Sequence, residues 1–122
     1  MRVVVTGGRD YQDYDYVREL LLALSEKDGP LEIAHGGAGG ADSLAAGVAH
    51  VFGWPVKCYP ANWRGFGPAA GPIRNRQMLV DFRPDLVVAF PGGRGTEHCV
   101  KTATGLGIAV FCADRAAREV AR

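Results

Sequence analysis

MRVVVTGGRD, residues 1–10, places three valines in a row at 3, 4 and 5 and then breaks at Gly7 and Gly8. A β-branched run favours a strand, and paired glycines let the backbone turn sharply, so Arg2–Thr6 is predicted as a strand that ends in a glycine loop. The same grammar recurs twice. His35-Gly36-Gly37-Ala38-Gly39-Gly40-Ala41-Asp42 follows a predicted strand Leu31–Ala34, and Pro91-Gly92-Gly93-Arg94-Gly95-Thr96 follows a predicted strand Asp85–Phe90. Each cluster precedes a segment of helical character. A glycine loop that opens a helix exposes main-chain N–H groups and the partial positive charge of the helix start, which suits phosphate. Three such loops in a 122-residue chain point to an anion-binding site.

Between the loops the apolar spacing alternates strand and helix. Val17, Leu20, Leu21 and Leu24 follow the i, i+3, i+4, i+7 pattern of an amphipathic helix, which Gly29-Pro30 stops. Leu44, Val48, Val51 and Phe52 are predicted on one face of a second helix, closed by Gly53. Pro55–Tyr59 reads as a third strand, Pro60–Gly71 as an ordered loop, and Pro72 as part of the first turn of a helix to about Phe82. A helix from Thr96 to about Leu106, a fifth strand Ile108–Cys112 and a short terminal helix Ala113–Arg122 complete the chain. Strict βαβα alternation predicts an α/β, Rossmann-like three-layer sandwich with a five-stranded parallel sheet. With right-handed crossovers the expected strand order is 3-2-1-4-5. Ligands of such sheets bind beyond the strand C-termini where the order reverses, here between strands one and four, so the three clusters are expected to converge.

The length suits one domain, residues 1–122. Hydrophobic content of 48% and charged content of 22% are ordinary for a globular chain, and no apolar run reaches a membrane span. The start reads straight into a strand rather than a secretory leader, and Cys58, Cys99 and Cys112 show neither CxxC nor metal spacing. The expectation is a cytoplasmic protein with reduced thiols, no metal and no cofactor. A formal net charge of +1 argues against bulk electrostatic binding of nucleic acid. Arginines nevertheless outnumber lysines eleven to three, and Arg9, Arg64, Arg74, Arg76 and Arg94 lie in or near the glycine-rich segments, where a guanidinium fork matches phosphate.

Familiar nucleotide motifs are excluded. A Walker A needs Gly-Lys-Ser/Thr, and none of the three loops holds lysine. GxGxxG is absent, and strand two ends at His35 rather than at the acid that would bind a ribose. Instead, VTGGRDY (5–11), HGGAGGADSLA (35–45), PANWRGFGPAAGPIRNRQM (60–78) and AFPGGRGT (89–96) resemble, in content and order, the SLOG superfamily of Rossmann-like nucleotide-binding domains. Within it the chain is similar to a small bacterial and phage family related to the cytokinin-activating phosphoribohydrolases, which hydrolyse the N-glycosidic bond of a nucleoside 5′-monophosphate. The resemblance implies that Pro91, Gly92, Gly93, Arg94, Gly95 and Thr96 hold phosphate. It implies too that Arg74, four residues before Met78, matches the catalytic arginine, and that homodimers are common. The catalytic glutamate of those enzymes falls at Cys99. Glu97 lies two positions away, about 200° around a helix, and does not simply replace it.

Asp10, Asp42 and Glu97 are therefore the candidate carboxylates for stabilising oxocarbenium-like charge or activating water. First-turn helix positions already give Asp42 and Glu97 a dipole role. Thr6, Gly7, Gly8, Arg9, His35, Gly36, Gly37, Gly40 and Asn75 are candidate ligand contacts beside the phosphate loop. His35 either touches ligand or packs at the strand end, and Thr96 either donates to phosphate or caps its helix. Trp63 is a candidate stacking partner for a base, Phe66 a weaker one, and Tyr11, Tyr14 and Tyr16 form a patch over the core edge or an oligomer contact. The expected function is binding of a nucleotide-derived ligand, a nucleoside monophosphate or ADP-ribose-like molecule, as a sensor or sequestering module. The alternatives are a nucleoside-monophosphate phosphoribohydrolase and, more remotely, a single-stranded nucleic-acid binder.

Overall fold

The computed structural model describes residues 1–114; beyond Asp114 the predicted terminal helix lies outside the described residues. Five strands, β1 (Arg2–Thr6), β2 (Glu32–His35), β3 (Val56–Cys58), β4 (Leu86–Ala89) and β5 (Ala109–Cys112), form one parallel sheet in the order β3-β2-β1-β4-β5. The helices are α1 (Tyr14–Asp28), α2 (Ala41–Phe52), α3 (Trp63–Phe66), α4 (Ala70–Phe82) and α5 (Arg94–Gly105).

The period-2 alternation of the central strands assigns the two layers. Val3, Val5, Ile33, Val88 and Phe90 pack with Val17, Leu21, Ala45 and Val48 of α1 and α2. The intervening Val4, Ala34 and Val87 face Met78, Leu79, Cys99 and Ala103 of α4 and α5. Val3, Val4 and Val5 are fully buried, each such side chain contributing about 1.5–3 kcal/mol of transfer free energy. Tyr11 and Tyr16 settle on Phe90, with ring centroids 5.3 and 5.9 Å away, so both belong to the core edge.

Caps agree with the local sequence. The Asp13 carboxylate accepts the Tyr16 N–H at 3.1 Å at the start of α1. Gly53, in the left-handed region at φ 72°, ends α2.

Three expectations need correction. The buried face of α2 is Ala41, Ala45, Val48 and Ala49, while Val51 is 64% exposed. Small alanines let the helix lie close on the sheet, so the larger residues did not mark the face. The 60–71 segment is not a plain loop. Asn62 accepts the Gly65 N–H at 2.9 Å and starts α3, a 3-10 turn follows at Gly67–Ala69, and α4 begins at Ala70. Pro72 is then the third helical residue, still within the turn that lacks intrahelical acceptors. Finally, α5 begins at Arg94 with Gly93 as its cap residue, so Thr96 is not the N-cap.

Candidate functional site

The three glycine loops meet at the β1/β4 switch point through backbone contact. Gly40 has φ +47°, and a Cβ there would lie 2.0 Å from the Gly8 carbonyl oxygen. A Cβ on Gly92 would lie 2.7 Å from the Gly8 nitrogen and 2.2 Å from Thr96 Oγ1. Glycine is the residue that permits both approaches. Hydrogen bonds finish the junction: Gly8 N–H donates to the Pro91 carbonyl at 2.8 Å, and Ala41 N–H to the Gly8 carbonyl at 3.2 Å.

Over this junction opens a cleft of about 340 Å³. Its floor is Thr6, Gly7 and Gly8; one wall is Gly93, Gly95 and Thr96 at the start of α5; the other is Ala38, Asp42 and Arg74. Arg9, Ala38, Trp63 and Arg74 are shared with an adjoining lobe of about 290 Å³ that also reaches Gly36 and Gly37. Trp63 is half exposed and rests its ring edge on Gly71.

The two helix starts at the cleft differ. At α2, three donors of the preceding loop turn onto side chains: Gly36 and Ala38 N–H both donate to Asp42 Oδ2 at 3.1 Å and Gly37 N–H donates to His35 Nδ1 at 2.9 Å, while Asp42 N–H donates to the Gly39 carbonyl at 3.1 Å. At α5, as at α2, no side chain caps the helix. Its bonding begins with Glu97 N–H on the Gly93 carbonyl at 3.0 Å, which leaves the N–H groups of Arg94, Gly95 and Thr96 as the open donors. The second start therefore offers an anion a run of three open first-turn donors.

Asp42 is 4% exposed. Burial raises its pKa; the N–H bonds from Ala38 and Gly36 and the nearby His35 and Arg74 oppose the rise. Burial lowers the pKa of His35, with Asp42 opposing and Arg74 assisting. Since Nδ1 accepts the Gly37 N–H, the neutral ring carries its proton on Nε2. His35 is thus packed at the strand end. Arg74 Nη1 donates to the carbonyls of Gly36 at 2.6 Å and Tyr59 at 3.2 Å, and Nε to Asn75 Oδ1 at 3.0 Å. Asn75, 3% exposed, holds α4 to α5 through the Gly95 carbonyl at 3.2 Å and His98 Nδ1 at 3.2 Å.

Several expected residues lie apart from the cleft. Asp10 and Arg94 are exposed and outside its lining, and Gly40 and Gly92 are spent on loop packing. Glu97 and Pro91 line a separate, mainly apolar cavity of about 380 Å³ between α5 and the end of β5. Cys99 is fully buried under the site, its thiol pushed up to about 11 by burial, against the Thr6 side chain and the Arg74 charge. Sequence reasoning missed Ala38 and Gly71 as cleft residues and His98 as the partner of Asn75. A small residue in the first turn after the Trp63 loop was the signal for Gly71. Among the described residues no three His, Cys, Asp or Glu side chains gather as a metal site, and no helix is long and apolar enough to cross a membrane.

A parallel sheet of this order with a loop-lined cleft at its switch point defines the Rossmann-like α/β class. The family is narrower: the chain belongs to the YspA, cpYpsA-related SLOG family, whose model matches residues 1–66. It is 37% identical over 118 residues to the Gene 61 protein of Mycobacterium phage D29, covering 90% of this chain and 94% of that protein. A crystal structure of UDP-N-acetylglucosamine 2-epimerase shares the fold, with TM-score 0.53 and 17% identity over 89% of this chain. The chain spans only 31% of that enzyme's length, so the likeness concerns the fold alone.

Proposed function

We propose that this chain binds a nucleotide-derived ligand, a nucleoside monophosphate or an ADP-ribose-like molecule, and serves as a sensor or sequestering module. The observation that carries the reading is the uncapped start of α5, opening into the same cleft as the half-exposed Trp63. A phosphate would take the Gly95 and Thr96 N–H groups, with Arg9 adding charge from the rim. Trp63 would offer a ring face to the base, an interaction worth about 1–3 kcal/mol in single-strand sites. SLOG membership supports a nucleotide as the ligand. Cys99 supports binding over turnover, because a buried neutral thiol stands where the resembling hydrolases carry glutamate.

A second reading, hydrolysis of the N-glycosidic bond of a nucleoside monophosphate, is favoured by one observation. Asp42 is the carboxylate that lines this cleft among the described residues, so the chemistry would run through it rather than through Asp10 or Glu97. We further infer a cytoplasmic, single-domain protein that pairs as a homodimer. The outer face of α4 supports pairing, with Ile73 and Val80 41% and 52% exposed.

Proton NMR of the protein with nucleoside monophosphates, NAD, ADP-ribose and cyclic nucleotides, followed over hours, tests these readings. Saturation transfer to one compound without turnover supports the binding module. New free-base signals that disappear in Arg74→Ala establish the hydrolase. Silence from the whole panel rejects both.

A further inference from the structure

The absence of an acid at the end of β2 is an apparent gap in this Rossmann-like site. Dinucleotide domains keep an Asp or Glu there to accept a hydrogen bond from a ribose hydroxyl, whereas β2 of this chain ends at His35. The fold closes the gap from further along the chain. Asp42 sits in the first turn of α2, and its carboxylate folds back over the β2 loop, where Oδ2 accepts the N–H groups of Gly36 and Ala38 at 3.1 Å each. One carboxylate oxygen is thereby fixed at the β2 terminus.

The other oxygen has a different position. Asp42 is 96% removed from solvent, being 4% exposed, and lines the cleft. No buried side-chain N or O atom among the described residues lacks a hydrogen-bond partner. Oδ1 makes no bond among the described residues, so it is the atom left open to the cleft. A carboxylate oxygen held by its twin in a nearly dry wall is a preorganised acceptor, and a ligand hydroxyl reaching it replaces little water. The Arg74 guanidinium beside it is engaged with carbonyls and Asn75 Oδ1.

We infer that Asp42 Oδ1 is the acceptor for a vicinal hydroxyl of a ribose, so that the cleft selects ribonucleotides over deoxyribonucleotides. The inference rests on the nucleotide reading of the cleft and adds the sugar to it. Phosphate at α5, hydroxyl at Asp42 and base at Trp63 then divide the ligand among three walls of different chemistry: open N–H donors, a fixed acceptor and an aromatic face. Asp42 acts here on the ligand itself, which separates it from a loop-building role.

Calorimetric titration of the full chain with the four ribonucleoside 5′-monophosphates and their 2′-deoxy and 3′-deoxy counterparts tests this. Loss of a hydrogen bond to a charged acceptor predicts at least about tenfold weaker binding of one deoxy series. Asp42→Asn supplies the control, since its side-chain carbonyl still accepts from Gly36 and Ala38 while the cleft-facing oxygen becomes an NH2 donor. The ribo preference should collapse to within about twofold in that variant. Equal binding of ribo and deoxy forms by the wild type overturns the inference and leaves the nucleotide reading intact. A preference that survives in a folded Asp42→Asn overturns the assignment to Asp42. Binding of none of these nucleotides rejects the nucleotide reading, and this inference falls with it. The wild-type comparison needs no variant, so a poorly folding Asp42→Asn does not rescue the idea.

Discussion

Arg74 Nη1 donates to the Gly36 carbonyl at 2.6 Å across 38 residues of chain. With the Tyr59 carbonyl and Asn75 Oδ1 as its other partners, this guanidinium joins the β2 loop, the end of β3 and α4. The residue that resemblance marks as catalytic is therefore also a latch that builds the wall of the cleft. Arg74→Lys keeps the charge but not the planar fork. Urea unfolding of Arg74→Lys should show a loss of about 1.5–3 kcal/mol, the range for hydrogen bonds to charged groups. An unchanged midpoint and slope would show that the latch contributes nothing to the fold.

Gly40→Ala probes the junction of the loops. The added methyl would meet the Gly8 carbonyl oxygen at 2.0 Å on a backbone with φ +47°. That oxygen is not free to retreat, because it accepts from Tyr11 and Ala41 N–H, both at 3.2 Å. Steric clash and left-handed strain together predict a loss of about 3 kcal/mol or more in chemical denaturation. A variant as stable as the wild type would mean that the first two glycine loops do not touch.

His35 predicts a pH dependence of stability. Burial lowers its pKa below the ordinary 6.5, so in the interval below 6.5 the unfolded chain binds a proton that the folded chain refuses. Its contribution is fully present above 6.5 and is lost as pH falls through the folded value. Asp42 has the opposite sign: raised above 3.8, its contribution is present below 3.8 and lost as pH rises through the folded value. Denaturation of wild type and His35→Asn from about pH 8 to about pH 5 separates them. The wild type should lose more stability than the variant toward the acid end, and parallel profiles would contradict the buried neutral histidine.

The three thiols should differ in reactivity. Cys99 is fully buried, with its pKa near 11, whereas Cys58 and Cys112 are exposed. The thiolate is the nucleophile, so iodoacetamide near neutral pH should label Cys58 and Cys112 in the native protein and Cys99 only after unfolding. Peptide mass mapping reads the order. Labelling of native Cys99 at the rate of the other two would remove it from the core under Thr6.

Sequence disclosed the sheet well because its signals are local. Val3–Val5 and Val87–Phe90 are continuous apolar runs whose alternate residues feed the two layers, and each is stopped by glycine or proline. The strand order followed from alternation and handedness. What was hidden depends on contacts between segments. Alanine is weakly apolar, so the true face of α2 was masked by Val51 and Phe52. The single turn α3 exists because Asn62 caps it and Trp63 packs on Gly71. Asp42 read as a first-turn helix acid; only the folded loop, with Gly36 and Ala38 aiming their N–H groups at it, turns one oxygen inward and leaves the other to the cleft. Glu97 and Cys99 show the same limit, since two residues along α5 separate a neighbouring cavity from the core.

Trp63 supplies the most direct report on the cleft, because the chain has just two tryptophans. Trp54 is 9% exposed and stacked on Phe52 at 5.3 Å, whereas Trp63 is 50% exposed on the cleft. The red edge of the emission and its iodide quenching should therefore belong to Trp63. A nucleotide stacked on that ring should quench the red component and protect it from iodide, while Trp54 emission stays constant. Trp63→Phe, left with Trp54 emission alone, should bind with almost no change in fluorescence, and calorimetry should show a modest loss because a smaller ring face remains. Trp63→Ala removes the face altogether, and stacking of about 1–3 kcal/mol corresponds to roughly 5- to 150-fold weaker binding. Full affinity in Trp63→Ala, with calorimetric binding otherwise intact, would place the base elsewhere. The apolar cavity beside Glu97, Val100 and Cys112 would then be the next wall to test.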